Sequence, residues 1–188
     1  MQLRDKAAAP DALRARAREL RELTASCGAS LIVNGDAALA ADVDADGVHV
    51  PGFTRDRDVL TRARAIVGPA RSIHVPVHTR DEVVFASDAG ADALLVSPIF
   101  DSPGKGPARG TGALAEAREV LRASRIARAT RIYALGGVDA SHVSACHRAG
   151  ADGVAIIRAL FDAPDPIATA MALSCPWLTA SRSYSSEP

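Results

Sequence analysis

Apolar residues fall into seven short runs separated by segments rich in alanine and arginine. The runs are Met1–Arg4, Ser30–Asn34, Asp46–Val50, Ser72–Val77, Asp92–Pro98, Arg131–Gly137 and Asp152–Arg158. They are continuous rather than alternating, the mark of strands buried on both faces of a parallel sheet. Leu13, Leu20 and Leu23 in an alanine-rich background predict a helix over Asp11–Ser26, ending near Gly28. Further helices are predicted over Asp56–Ile66, Arg80–Ala89, Gly112–Ala127, Ser141–Ala149 and Ala159–Leu173. The phrase GADAL (Gly90–Leu94) returns as GADGV (Gly150–Val154) and, more loosely, as DADGV (Asp44–Val48). Each marks a helix end, a tight turn and a strand start. Strands alternating with helices predict an α/β fold, a TIM-type (β/α) barrel of about seven strands lacking its first βα unit. One barrel domain is expected over residues 1–175, with a polar C-terminal tail over 176–188.

Composition narrows the possibilities. The 22 basic and 22 acidic residues cancel, so no general attraction to nucleic acid or a membrane surface is expected. No apolar run approaches the ~18 residues of a membrane span. The N-terminus has no secretory h-region. Cys27, Cys146 and Cys175 are widely spaced and form no CxxC pair, which suggests reduced thiols in a cytoplasmic protein rather than a zinc site. An anion site, if present, must be local.

Three stretches carry candidate chemistry. The strand entering VSPIFDSPGKGPARG (Val96–Gly110) ends in a basic, glycine-rich loop holding Ser102, Lys105 and Arg109. LGGV (Leu135–Val138) and the strand ending at Ile157 and Arg158 suit phosphate binding by backbone N–H groups at Gly136 and Gly137, or merely tight turns. In QLRDK, Arg4 and Lys6 alternate with Asp5, which on a strand would aim both cations the same way, as a diphosphate needs. His78 and His49 sit at strand ends and titrate near neutrality, so either is a candidate acid or base. His74 is assigned no role.

QLRDK, LIVN, ADGVHV, HVPVHT, SPIFDSPGKG, LGGV and AGADGVAIIRALF occur in the order and spacing of the thiamine phosphate synthase and thiazole tautomerase (TenI-like) family, which the chain resembles from Met1 to about Phe161. The resemblance implies a transferase of thiamine biosynthesis that joins a pyrimidine diphosphate to a thiazole phosphate. It implies that Arg4, Lys6, Asn34, Ser102 and Lys105 hold the diphosphate, with Lys105 closing over it. Gly136, Gly137, Ile157 and Arg158 would hold the thiazole phosphate, although small residues are common where Arg158 stands. It also implies Mg²⁺ held by two carboxylates, but those positions are Gly35 and Thr54 here, with Asp36, Asp56 and Asp58 close by and out of register. A family serine falls at Pro76. The tautomerase branch shares the NG that follows its strand, yet its histidine falls at Pro98, leaving His78 or His49 to move protons. A phosphate-binding relative without activity is the remaining alternative. A missing front unit would expose strand edges, which a homo-oligomer would cover.

Overall fold

The computed structural model describes residues 1–52, 56–124 and 129–183, with backbone alone from 179 onward. Its strands are β1 (Gln2–Leu3), β2 (Ile32–Asn34), β3 (Gly47–His49), β4 (Ser72–Val77), β5 (Ala93–Val96), β6 (Arg131–Leu135) and β7 (Gly153–Ala155). Its helices are α1 (Pro10–Ser26), α2 (Ala37–Asp42), α3 (Arg57–Val67), α4 (Arg80–Asp88), α5 (Gly112–Ala123), α6 (Val143–Arg148), α7 (Arg158–Phe161) and α8 (Pro166–Ser183). The strands form one sheet in chain order, and the registered pairs are parallel, as expected for a TIM-type α/β fold. The chain divides into two compact units, Met1–Pro76 with Phe85–Ala93, and Val77–Val84 with Leu94–Pro188.

The core follows from the strand sequences. Val33, Val48, Ile73, Val75, Leu94, Val96 and Ile132 are almost fully buried. All four residues of β5 are buried, whereas β4 alternates, with Ile73, Val75 and Val77 inside and Ser72, His74 and Pro76 half-buried on its other face.

The recurring turn phrase has a physical basis. Asp46 Oδ2 accepts from the Leu31 N–H at 2.7 Å and from Arg21. Asp92 Oδ2 accepts from the Ile73 N–H at 2.8 Å and from Arg64. Asp152 Oδ2 accepts from the Ile132 N–H at 2.7 Å and from Arg118. In each case the backbone N–H of the aspartate also donates to that same preceding residue. One carboxylate thus stitches a strand start to its neighbour and neutralises an arginine of the helix that leads into that neighbouring strand. The short side chain placed just before each strand is what the repeat encodes.

Several expected boundaries shift. The helix predicted over Ala159–Leu173 is two helices, because Pro164 and Pro166 break it and the Asp165 carboxylate caps α8, accepting from the N–H groups of Ile167 and Ala168. The sequence reading missed α2, which is short and begins where Asp36 Oδ1 accepts from the Leu39 N–H at 2.8 Å. Helix α5 ends at Ala123 rather than Ala127, and residues 125–128 lie outside the described ones. The expected tail, 176–188, is helical as far as Ser183.

Candidate functional site

In the first unit the candidate residues gather where the strands end. Register sets Asn34 beside His49 and His49 beside His74. Neighbours in parallel register project from the same face. His74, given no role from sequence, therefore shares a face with Asn34 and His49, and its Nε2 lies 2.9 Å from Ser72 Oγ. The alternation of Ser72, His74 and Pro76 with buried valines and isoleucine was the signal for it.

His49 is the most perturbed group of this row. It is 8% exposed, and its Nδ1 is buried with no hydrogen-bond partner. Burial pushes its pKa down to about 4, and the Arg4 charge adds to the effect. The ring is neutral at physiological pH, able to hydrogen-bond a neutral heterocycle but not to act as a cation.

The unfolded chain, with His49 near its ordinary 6.5, takes up the proton first as pH falls. Stability from the neutral ring is therefore intact above 6.5 and drains away between 6.5 and about 4. At 1.36 kcal/mol per pH unit the loss approaches about 3 kcal/mol. Urea midpoints at about pH 7 and about pH 4.5 are expected to differ less for His49→Gln than for the wild type. Equal differences would place the acid sensitivity elsewhere.

Arg4 and Lys6 stand in a turn rather than on the strand. Strand β1 stops at Leu3, and Asp5 folds back so that its Oδ1 accepts from the N–H groups of Ala7 and Ala8, both at 3.1 Å. Its Oδ2 holds Arg16 at 2.6 Å. These contacts, the Ala7 N–H first, lower the Asp5 pKa. Arg4 and Lys6 are exposed on either side of this turn.

The described carboxylates do not fit Mg²⁺. Asp36 caps α2, and Asp56 caps α3 by accepting from the Asp58 N–H at 2.9 Å. Gly35 has φ +78°, a backbone that a carboxylate-bearing residue adopts only with strain. Thr54 lies outside the described residues. Among the described residues no cluster of three metal-ligating side chains occurs.

In the second unit the strand ends gather differently. His78 Nδ1 lies 2.8 Å from the Ser97 carbonyl, an acceptor only, so the proton sits on Nδ1 and Nε2 carries the lone pair. The ring is held at the entry to α4, where Thr79 Oγ1 accepts from the Glu82 N–H and the Glu82 carboxylate accepts from the His78 N–H.

The Ser97–Pro98 bond is cis, and the chain continues as a stem. The Arg109 N–H donates to the Pro98 carbonyl and the Gly110 N–H to the Ile99 carbonyl, both at 2.9 Å. Within the loop the Lys105 N–H donates to the Ser102 carbonyl at 3.1 Å, with Pro103 second and Gly104 third at φ +75°. That is a type II turn, and it brings Ser102 and Lys105 together. The basic loop is thus closed at its base and displays its lysine at an exposed tip.

Gly136 and Gly137 lie against this loop. A Cβ on Gly137 would sit 2.4 Å from the Asp101 carbonyl oxygen, and one on Gly136 would sit 3.0 Å from Pro98 Cα. The pair is needed for close backbone approach, which sequence alone could not distinguish from a phosphate cradle. Next to it the His142 ring stacks on Phe100 with centroids 3.8 Å apart and planes at 16°. Asp139 Oδ1 lies 3.1 Å from His142 Nδ1 and accepts from both the N–H and the hydroxyl of Ser141, which hold its pKa down. Neither His142 nor Phe100 was singled out from sequence; a lone phenylalanine before a basic loop was the available signal. Ile157 precedes α7 and Arg158 opens it, both exposed.

A family model described as thiamine monophosphate synthase matches residues 1–160. The chain is 40% identical over 159 residues to a thiamine-phosphate synthase of Geobacillus kaustophilus, covering 84% of this chain and 68% of that protein. It is 36% identical over 188 residues to one of Methanoregula boonei, covering 98% of this chain and 82% of that protein. A solved thiamine phosphate pyrophosphorylase from Pyrococcus furiosus superposes with a TM-score of 0.79 at 25% identity, covering 95% of this chain and 82% of that one.

Proposed function

Because the chain belongs to the thiamine monophosphate synthase family, we propose that it joins a hydroxymethylpyrimidine diphosphate to a thiazole phosphate and releases diphosphate. The carbon–oxygen bond to the diphosphate breaks with its electron pair leaving on oxygen, and the thiazole nitrogen forms the new bond to that carbon. The observation that carries the reading is 40% identity over 159 residues to a thiamine-phosphate synthase.

Each unit contributes by itself. In the first, Arg4, Lys6 and Asn34 suit the pyrimidine diphosphate: fixed cations bind its oxygens and the amide orients it. A neutral His49 suits a pyrimidine ring better than an imidazolium would. In the second, Lys105 and Ser102 are presented by one turn, so an ammonium and a hydroxyl are available to a phosphate together. Gly136, Gly137, Ile157 and Arg158 suit the thiazole phosphate, with Arg158 adding a charge. The substrates are two small phosphorylated heterocycles, and no helix is long and apolar enough to cross a membrane.

One observation favours a second activity. His78 is exposed, and with Nδ1 engaged by the Ser97 carbonyl its Nε2 is the nitrogen left to take a proton, the form of a general base. It suits proton transfer on a thiazole carboxylate phosphate, the chemistry of a thiazole tautomerase.

Product formation from the two substrates, followed by chromatography with and without Mg²⁺, tests the first reading. Thiamine phosphate is expected. Binding of thiazole phosphate without product, together with proton transfer on a thiazole carboxylate phosphate, would transfer the assignment to the tautomerase.

A further inference from the structure

The final helix carries a face that nothing in the described structure covers. Leu173 of α8 is 4% exposed, and Trp177 Nε1 donates to the Ala151 carbonyl at 2.9 Å. That side packs inward. The opposite side presents Ile167 at 76% exposure, Met171 at 68% and Leu178 at 62%, with Ser174 between them. These four positions are spaced four, three and four residues apart, the alternation of a helix–helix seam. The Ser174 hydroxyl donates back to the Ala170 carbonyl at 2.6 Å, so it needs no partner across the seam. Phe161 of α7, 79% exposed, belongs to the same unit and adds apolar surface.

The charge pattern indicates what fits there. No Asp, Glu, Lys or Arg occurs from Pro166 to Ala180, in a chain that is 23% charged as a whole. A charged partner helix would find nothing to pair with. A membrane surface would need basic residues flanking the apolar face, and this stretch offers none. A helix that is itself apolar and uncharged meets no repulsion, and α8 is such a helix. Beside the seam, α6 and α8 border a groove of about 720 Å³ whose walls include Ala140, Val143, Ala172 and Pro176, with His147 and Arg148 at its α6 side.

We propose that this face of α8 pairs with α8 of a second copy of the chain, antiparallel about a two-fold axis between Met171 and Ser174. An isologous contact lets each seam residue meet the other copy's seam. This surface is separate from the residues assigned to substrates and does not rest on the proposed activity.

The arrangement fixes the position of the exposed Cys175. At about 1.5 Å of rise per residue, the two Cys175 sites are offset by about 7.5 Å along the helices. A short bis-maleimide therefore bridges them.

The test uses the full chain. Light scattering is expected to give twice the chain mass, and peptide mapping after bis-maleimide treatment is expected to show a Cys175–Cys175 link. Met171→Glu with Leu178→Glu is expected to yield a folded monomer with unchanged far-ultraviolet circular dichroism, since both side chains are solvent-exposed in the single chain. A monomer over the whole concentration range would overturn the proposal. So would a dimer linked only through Cys27, or one that survives the double substitution. A monomer that instead binds neutral phosphatidylcholine vesicles would assign the face to lipid and equally overturn it.

Discussion

Replacing Gly137 with alanine is expected to lower product formation by about 100-fold, the size of effect that a displacement of about 1 Å at a reacting site produces. The added Cβ would lie 2.4 Å from the Asp101 carbonyl oxygen and 2.8 Å from both the carbonyl carbon and Cβ of Phe100. Two of these atoms are backbone, so no rotamer change relieves the contact. The φ of +64° adds the ordinary penalty of an L-residue in a left-handed conformation, about 1 kcal/mol. The loop must move instead, and it carries the Ser102–Lys105 turn on one side and the Phe100–His142 stack on the other. Steady-state kinetics checks this. Gly112→Ala is the control, because a Cβ there meets nothing within 4 Å and the position opens a helix. Unchanged kcat/KM in Gly137→Ala would show that the loop's position against the glycine pair does not matter to the reaction.

The second large effect concerns stability. Asp92→Ala is expected to cost about 3 kcal/mol, measured by urea unfolding. The carboxylate accepts from the Ile73 N–H at 2.8 Å and from Arg64, whose Nη1 also donates to the Gly68 and Arg71 carbonyls. Alanine takes the Asp92 acceptor from a buried strand N–H and the counter-ion from a guanidinium only 25% exposed. Of the three repeated aspartates, Asp92 has the least exposed side chain, 18% against 41% for Asp46 and 39% for Asp152. Solvent screens the other two, so their alanine variants are expected to lose less. Asp92→Asn keeps an acceptor for Ile73 and loses only the charge, and its loss should be intermediate. An equal loss at all three positions would mean that exposure does not set the cost.

The difference between these two cases shows what each level of description contains. Local signals were sufficient for the alternation of strands and helices, because period and punctuation are properties of neighbouring residues. The Gly-Ala-Asp turns were visible as a repeat, since each performs the same local task. The break between α7 and α8 was missed although Pro164 and Pro166 mark it, because the apolar spacing on either side continues the same helical phase. Helix α2 was missed because six residues are too few to show a period.

The candidate site divides along the same line. The sequence by itself determined the family and which residues stand at or just past strand ends, among them Arg4, Asn34, His49 and His78, with Lys105 in the loop that follows β5. The resemblance also implies that Gly35 stands where the family has a carboxylate, a matter of residue identity at a position. Only the tertiary structure decided that Asp36 and Asp56 are committed to helix caps, and that Gly136 and Gly137 are glycines because a neighbouring loop lies on them. It also decided that His74 shares a face with His49. The two caps are local but needed the backbone to show that the helices start there; the other facts depend on strand register and on backbone packing between segments distant in the chain, whose approach no local pattern encodes.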